Sequence, residues 1–284
     1  MSNSKYQLGI YEKAIPNSFT IKEKLVIAKN HGFDFLELSL DETREKLERL
    51  DFDTLTISDL NSYMESINFH IESFCLSALR KYPYGSRDAS IREKSLEITE
   101  KAIILAKKLG IKYIQIAGYD VYYEESSEIT EKLFFDTLEK AVKIAEKYEV
   151  ILAFETMETS FMDTVSKANK VVQIINSKFL KIYPDLGNIT NANLLYKTSV
   201  IDDLRVGENN IVAIHLKESR EGIYRNLIVG EGHVDFRSLL IEAKALGVSR
   251  FVCEFWALDD VNYLKNIIID LSNNVNIIIS ISQK

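Results

Sequence analysis

The amino-acid sequence predicts an α/β fold, a single (β/α)8 barrel. Three observations carry this prediction. Eight short, β-rich apolar runs alternate with long stretches of helical periodicity. Glycine recurs where a helix hands over to a strand. Eight such units in about 270 residues match the size of a TIM barrel, in which each of eight parallel strands is followed by a helix.

The first strand is expected at Gln7–Tyr11. The helix Thr20–Asn30 follows, with Ile21, Leu25 and Ala28 at helical spacing. The second strand is Phe33–Leu38. After it, the stretch Asp41–Asp53 carries charges of both signs and reads as a solvated helix. The third strand, Ile71–Leu76, leads to the helix Ser90–Leu109, whose apolar positions include Ile91, Leu96, Ile103, Leu105 and Ala106. Next come the strand Tyr113–Ala117, the helix Glu128–Tyr148 and the strands Val150–Glu155, Leu180–Pro184 and Ile211–Leu216. The helix Asp235–Leu246 and the strand Phe251–Phe255 complete the set. Gly32, Gly110 and Gly247 each sit just after a helix and before a strand, where glycine suits the left-handed conformation that closes a helix. The tail Asn274–Lys284 reads two ways. Ile277–Ile281 has strand character, whereas a barrel calls for an eighth helix before it and nothing after.

A doubly wound open sheet is the rival architecture, but it would show a glycine-rich turn after its first strand. Neither G-x-G-x-x-G nor a Walker motif occurs, and Gly230-Glu231-Gly232 is a lone Gly-x-Gly. No linker-like stretch divides the chain, so residues 1–284 read as one domain. The composition, 46% hydrophobic and 27% charged, is that of a globular protein. No apolar run approaches the roughly 18–20 residues of a membrane span, and residues 1–6 carry no apolar signal core. A cytoplasmic location is therefore expected. A net charge of −7 disfavours nucleic acid as a partner. Cys75 and Cys253 each lie in an apolar stretch and read as buried, reduced thiols.

Chemistry in such a barrel sits where strands end at their C-termini. The fifth to eighth strands lead into Glu155, Asp185, His215 and Glu254, each after an apolar run. Alone, any of these would read as a cap, an ion-pair partner or a core group. Three carboxylates and an imidazole at the same stage of consecutive units are instead explained by a cation, because unpaired charge at an apolar site is costly. Hard oxygens with one nitrogen suit a divalent metal ion: Mn²⁺, Mg²⁺ or Co²⁺, with Zn²⁺ also admissible. Lys217, two residues past His215, points to the same side if the strand continues, and either serves a ligand or neutralises a carboxylate. Glu158 either reaches a ligand hydroxyl or is a loop charge. Trp256, the only tryptophan, either walls the pocket or packs at its rim. His31 reads as a helix cap, His70 precedes the third strand, and His233 reads as an exposed loop residue.

Several stretches are recognisable: Leu8-Gly9-Ile10-Tyr11-Glu12-Lys13-Ala14, Gly32-Phe33-Asp34-Phe35 with Asp41-Glu42-Thr43, and Cys75-Leu76-Ser77-Ala78. Further along stand Ala117-Gly118-Tyr119-Asp120-Val121-Tyr122-Tyr123, Tyr183-Pro184-Asp185 with Gly187-Asn188, and Gly230-Glu231-Gly232 with Val234-Asp235-Phe236. On these residues, from residue 6 to residue 258, the sequence resembles the L-ribulose-5-phosphate 3-epimerase family (also L-xylulose-5-phosphate 3-epimerase, with the older label hexulose-6-phosphate isomerase). That family belongs to the xylose-isomerase-like TIM barrels. The resemblance implies a metal held by Glu155, Asp185, His215 and Glu254, with Glu155 and Glu254 as the acid/base pair and the other two as plain ligands. It implies inversion of C3 of a small phosphorylated sugar, a homodimer, and a role in L-ascorbate or related pentose catabolism. For the phosphate it leaves two sets open: Lys217, Arg225 and Gly232 near the loop after the seventh strand, or Arg80 and Gly118 after the third and fourth. Two positions depart from the family pattern: Glu158 stands where relatives often carry Asp, and residues 273–284 do not look like the usual closing helix. Three other readings remain. An aldose–ketose isomerase would use the same site. A DNA-repair endonuclease of the superfamily is disfavoured by four histidines and the acidic charge. An inactive sugar-binding protein has no need of paired acid/base carboxylates.

Overall fold

The structure, a computed structural model, describes residues 6–257, 264 and 265. The expectation for the tail at Asn274–Lys284 lies outside the described residues. All eight expected strands form: β1 Gln7–Tyr11, β2 Phe35–Ser39, β3 His70–Leu76, β4 Tyr113–Ala117, β5 Ile151–Glu155, β6 Leu180–Tyr183, β7 Ile214–Leu216 and β8 Arg250–Cys253. They are joined in parallel in the order β6-β5-β4-β3-β2-β1-β8-β7. Between β6 and β7 the ladder thins to bridges at Ile182–Ile211 and Asp185–His215, which bring the ends of the sheet together. The hydrogen bonds there run from Val212 N–H to Ile182 O (3.0 Å) and from His215 N–H to Pro184 O (2.9 Å). The seam thus passes through two of the expected metal ligands.

The helices are α1 Ile21–Asn30, α2 Arg44–Glu48, α3 Thr54–Ile67, α4 Ala89–Leu109, α5 Glu128–Tyr148, α6 Val165–Ile175, α7 Leu186–Tyr196, α8 Val200–Val206 and α9 Phe236–Ala245. Their starts follow local chemistry. Thr20 and Glu23 form a reciprocal capping box on α1, and Asp235 accepts from Ser238 N–H at the start of α9. The junction glycines Gly32, Gly110 and Gly247 have φ of 86°, 73° and 80°.

Alternation along the strands divides the core in two. Outward residues such as Ile10, Leu36, Phe74, Ile114, Phe154 and Ile214 pack with helix residues including Leu25, Ala102, Leu138 and Leu240. Inward, Tyr11, Phe35, Cys75, Ala153, Tyr183, Ala213 and Val252 fill the barrel. A Cβ on Gly9 would lie 2.4 Å from the Phe35 ring, so this glycine makes room for the aromatic. Near the start of the strands, Arg250 bonds Glu72 and Gln7 and lies 5.0 and 5.3 Å from the Phe35 and Tyr113 ring centres. The β2–β3 register shifts between Leu36 and Glu37. As a result Glu72 goes unpaired and Ser73 stands opposite Glu37, the two-against-one arrangement of a bulge.

The reading of Asp41–Asp53 as a solvated helix holds for the helix Arg44–Glu48 and its exposed Arg44, Glu45 and Glu48, but is corrected for two of the stretch's cations. Lys46 and Arg49 are buried and turn inward, and with Lys24 of α1 they clasp the buried Glu12. Arg49 does so through both terminal nitrogens, at 2.5 and 2.8 Å. A carboxylate just past β1 needs these charges, and mixed composition alone does not show which cations point inward.

Candidate active site

The four candidate ligands are set by the strand ends. Glu155 is the last residue of β5, and His215 lies within β7. Asp185 caps α7 and accepts from Asn188 N–H at 2.7 Å, while Glu254 directly follows β8. All four are buried, and one ligand atom from each lies within 4.8 Å of the others. The imidazole Nδ1 of His215 is 3.1 Å from Glu254 Oε2 and 3.4 Å from Glu155 Oε1. Lys217 Nζ lies 2.8 Å from Asp185 Oδ2 and 3.6 Å from Glu254 Oε2. Lys217 therefore neutralises carboxylates, one of its two expected roles, while also facing the cavity.

The protonation pattern shows a crowded anionic site. Burial, reinforced by the charge on Glu254, raises the pKa of Glu155. Burial raises Asp185 well above the ordinary carboxylate value despite the neighbouring Lys217. For Glu254 burial acts upward too, but Lys217 and His215 outweigh it and hold the group well below that value. Burial opposes charge on His215, yet Glu37, Glu254 and Glu155 outweigh it and raise the imidazole well above its ordinary value.

The residues fit a divalent ion. Ligands on one ion with bonds of about 2.0–2.2 Å stand up to roughly 4.4 Å apart, close to the spacing here. Asp185 Oδ2 and Glu254 Oε2 are buried without a hydrogen bond, and only ion-pair neighbours stand beside them: Lys217 Nζ next to both and His215 Nδ1 next to Glu254. Three oxygen donors and a nitrogen gathered within 4.8 Å of one another are the donor set for such a cation.

Above the cluster a polar cavity is lined by Lys13, Arg80, Glu158, Tyr224, Arg225 and Trp256, among others, with Tyr11 and Cys75 also on its wall. Glu158 is anchored rather than free: Tyr119 OH donates to it at 2.6 Å and Arg225 lies 3.4 Å away. Arg225 also lies over the Trp256 ring at 5.7 Å, and Arg80 over Tyr122 at 4.9 Å. Of the expected substrate contacts, Gly118 and Gly232 do not line this cavity. A Cβ on Gly118 would lie 2.6 Å from Glu155 O, and one on Gly232 2.1 Å from Ser219 O, so both positions serve close backbone approach. His31 bonds the Ile27 carbonyl at 2.8 Å as a cap, and His233 is exposed. Cys75 and Cys253 are buried and unbridged.

Sequence reasoning missed the residues behind the ligands. Gln115 donates to Glu155, and Asn188 and Thr156 brace Asp185. Glu37 accepts from His215, Ser73 and Tyr183. An acid in the middle of the apolar run Phe35-Leu36-Glu37-Leu38 was the available signal.

A parallel eight-stranded barrel with buried carboxylates and an imidazole at its C-terminal mouth defines a class, and the model of the family described as "Xylose isomerase-like TIM barrel" matches residues 25–267. SgbU of Haemophilus influenzae, provisionally named an L-ribulose-5-phosphate 3-epimerase, is 42% identical over 259 residues, covering 89% of each chain. The L-ribulose-5-phosphate 3-epimerase UlaE of Escherichia coli is 38% identical over 258 residues, 90% of this chain and 89% of its own. This chain belongs to the L-ribulose-5-phosphate 3-epimerase family within the xylose isomerase-like barrels, and it is a carbohydrate epimerase of the isomerase class. Solved structures share the fold. An L-ribulose 3-epimerase matches with a TM-score of 0.78 at 14% identity, over 98% of this chain and 97% of its own. The IolI protein with a bound zinc atom matches with 0.76 at 19%, over 96% and 98%. Among the described residues, no helix is long and apolar enough to cross a membrane.

Proposed function

We propose that the protein is a metal-dependent epimerase that inverts C3 of a ketopentose 5-phosphate, interconverting L-xylulose 5-phosphate and L-ribulose 5-phosphate. The observation that carries this reading is the convergence of Glu155, Asp185, His215 and Glu254 to within 4.8 Å beneath a polar cavity. The names of the relatives support the substrate.

The C3 proton of a ketose is weakly acidic and must be removed on one face and returned on the other. When bound, a divalent metal ion (Mn²⁺, Mg²⁺, Co²⁺ or Zn²⁺) polarises the C2 carbonyl and lowers the energy of the enediolate. The chain's own residues do the rest. Glu155 and Glu254 approach from different strands and form the acid/base pair, one for each face. Asp185 and His215 act as ligands, and Lys217 balances the charge of Asp185 and Glu254. Arg80, whose buried Nε has no hydrogen-bond partner, is assigned to the phosphate. Glu158 and Arg225, already paired with each other, are assigned to substrate hydroxyls, with Trp256 as the wall beside them. The resemblance adds a homodimer, a cytoplasmic location, a role in L-ascorbate or related pentose catabolism and one domain over residues 1–284 to the proposal.

The test is proton NMR of the purified protein with L-xylulose 5-phosphate in D₂O, with and without Mn²⁺. Metal-dependent L-ribulose 5-phosphate carrying deuterium at C3 supports the reading. Aldose product exchanged at the C1–C2 pair would replace it with an aldose–ketose isomerase, and no turnover in a metal-loaded sample would overturn the substrate.

A further inference from the structure

Glu37 lies on β2, is fully buried, and is used by no step above. Its two oxygens have different partners. Oε2 accepts from Ser73 Oγ at 2.7 Å and from Tyr183 OH at 2.9 Å. Oε1 faces His215 Nε2 at 2.6 Å. One oxygen anchors the carboxylate on β3 and β6, and the other is left to the imidazole of β7. The bulge in the β2–β3 pairing makes the anchor available by setting Ser73, rather than Glu72, opposite Glu37.

The imidazole is held on its other sides as well. The Tyr183 and Tyr11 rings lie 4.7 and 6.4 Å from it, both tilted. With Nε2 directed at Glu37, Nδ1 is the nitrogen that meets Glu155 and Glu254. A metal-bound imidazole needs a lone pair on the ligating nitrogen, so its proton must reside on the other one, and an acceptor there selects the tautomer.

We propose that Glu37 is a positioning residue for the metal: by accepting the Nε2 proton of His215, it fixes the tautomer that presents Nδ1 to the ion and makes that nitrogen a stronger donor. This rests on the metal reading of the preceding subsection. The role explains why a carboxylate, rather than an amide or an apolar residue, occupies the interior of an otherwise apolar strand, where three donors must converge to keep it satisfied.

The test uses the whole chain stripped of metal and titrated with Co²⁺ by calorimetry and visible absorbance. Wild type should bind one equivalent. Glu37→Gln, which keeps an acceptor but removes the charge, should bind roughly 10–100-fold more weakly, with a changed cobalt absorption band. Unchanged affinity and spectrum in the folded variant would overturn the assignment. A wild-type protein that binds no Co²⁺ would instead sink the metal reading, and this assignment with it. A second measurement needs no variant. In the Zn²⁺-loaded protein labelled with ¹⁵N-histidine, only four rings contribute. His215 should carry a slowly exchanging proton on Nε2 and a metal-shifted Nδ1. Ligation through Nε2, with the proton on Nδ1, would refute the proposal.

Discussion

Lys217 shows how closely charge is balanced at single residues. Burial works against its ammonium, but Asp185, Glu254 and Glu155 outweigh that and push its pKa above the ordinary lysine value. Removing one partner from such a buried set typically costs about 3–5 kcal/mol. Lys217→Met should therefore lose roughly that much stability in urea denaturation of the chelator-treated protein. The loss should be smaller with Mn²⁺ present, since a bound cation neutralises the same carboxylates. Equal losses under both conditions would show that metal and lysine do not share them. Glu155→Gln and Glu254→Gln should each reduce epimerisation by about 10²–10⁴-fold, the usual contribution of a positioned acid or base. Steady-state turnover at saturating metal measures this.

Among the elements, two devices outside the strand ladder hold the mouth in shape. The first is the clasp on Glu12, which ties the end of β1 to α1, α2 and the turn after it. Burial alone would raise the pKa of Glu12, but Arg49, Lys24 and Lys46 outweigh it and hold the carboxyl below the usual range. A depressed native pKa gives stability that is present above the unfolded value of about 4.3 and is lost as pH falls through the native one. Glu12→Gln should cost about 3–5 kcal/mol at neutral pH. It should also flatten the fall in stability below about pH 4, as read by denaturant midpoints across pH.

The second device holds the loop after β7. Glu218 is buried and accepts from Ser219, Val234 and Gly230 N–H groups at 3.0, 3.2 and 2.9 Å, while Gly232 packs against its carboxylate. That loop carries Tyr224 and Arg225 to the cavity. Gly232→Ala should displace it and raise KM more than it lowers kcat. Gly222→Ala is the control: its φ is +69° with nothing within 4 Å of a new Cβ, so it should cost about 1–2 kcal/mol of stability and leave KM unchanged.

On the scale of the whole molecule, the proposed metal site would link ion binding to folding. The quartet draws on β5, β7, the cap of α7 and the end of β8, and closure at the β6–β7 seam brings these together. An ion that binds only this assembled site stabilises the fold by mass action, by about 2.7 kcal/mol at a hundredfold excess over Kd. At about 2 °C per kcal/mol for a chain of this size, calorimetry should find Tm higher by on the order of 5 °C with Mn²⁺ than with a chelator. Identical melting curves would show that the quartet holds no metal.

Eight strands, the four side chains that cluster at their ends and the glycines that close helices were legible in the sequence because each is a local property. Apolar period, a polar residue closing an apolar run, and a glycine between helix and strand can be read within about ten residues. The contacts that complete the site are not local. Glu37 and His215 stand 178 residues apart and meet only because the sheet closes and the β2–β3 bulge sets which side chains share the barrel interior. Lys46 and Arg49 look like surface charges until Glu12 is placed beside them. Gly118 and Gly232 read from the sequence as ligand contacts, and only the packed backbone shows that neither position has room for a side chain. Pattern alone therefore determined the architecture and the chemistry-bearing residues. Barrel closure and register decided which of them touch, because those set the distances on which every charge interaction and hydrogen bond depends.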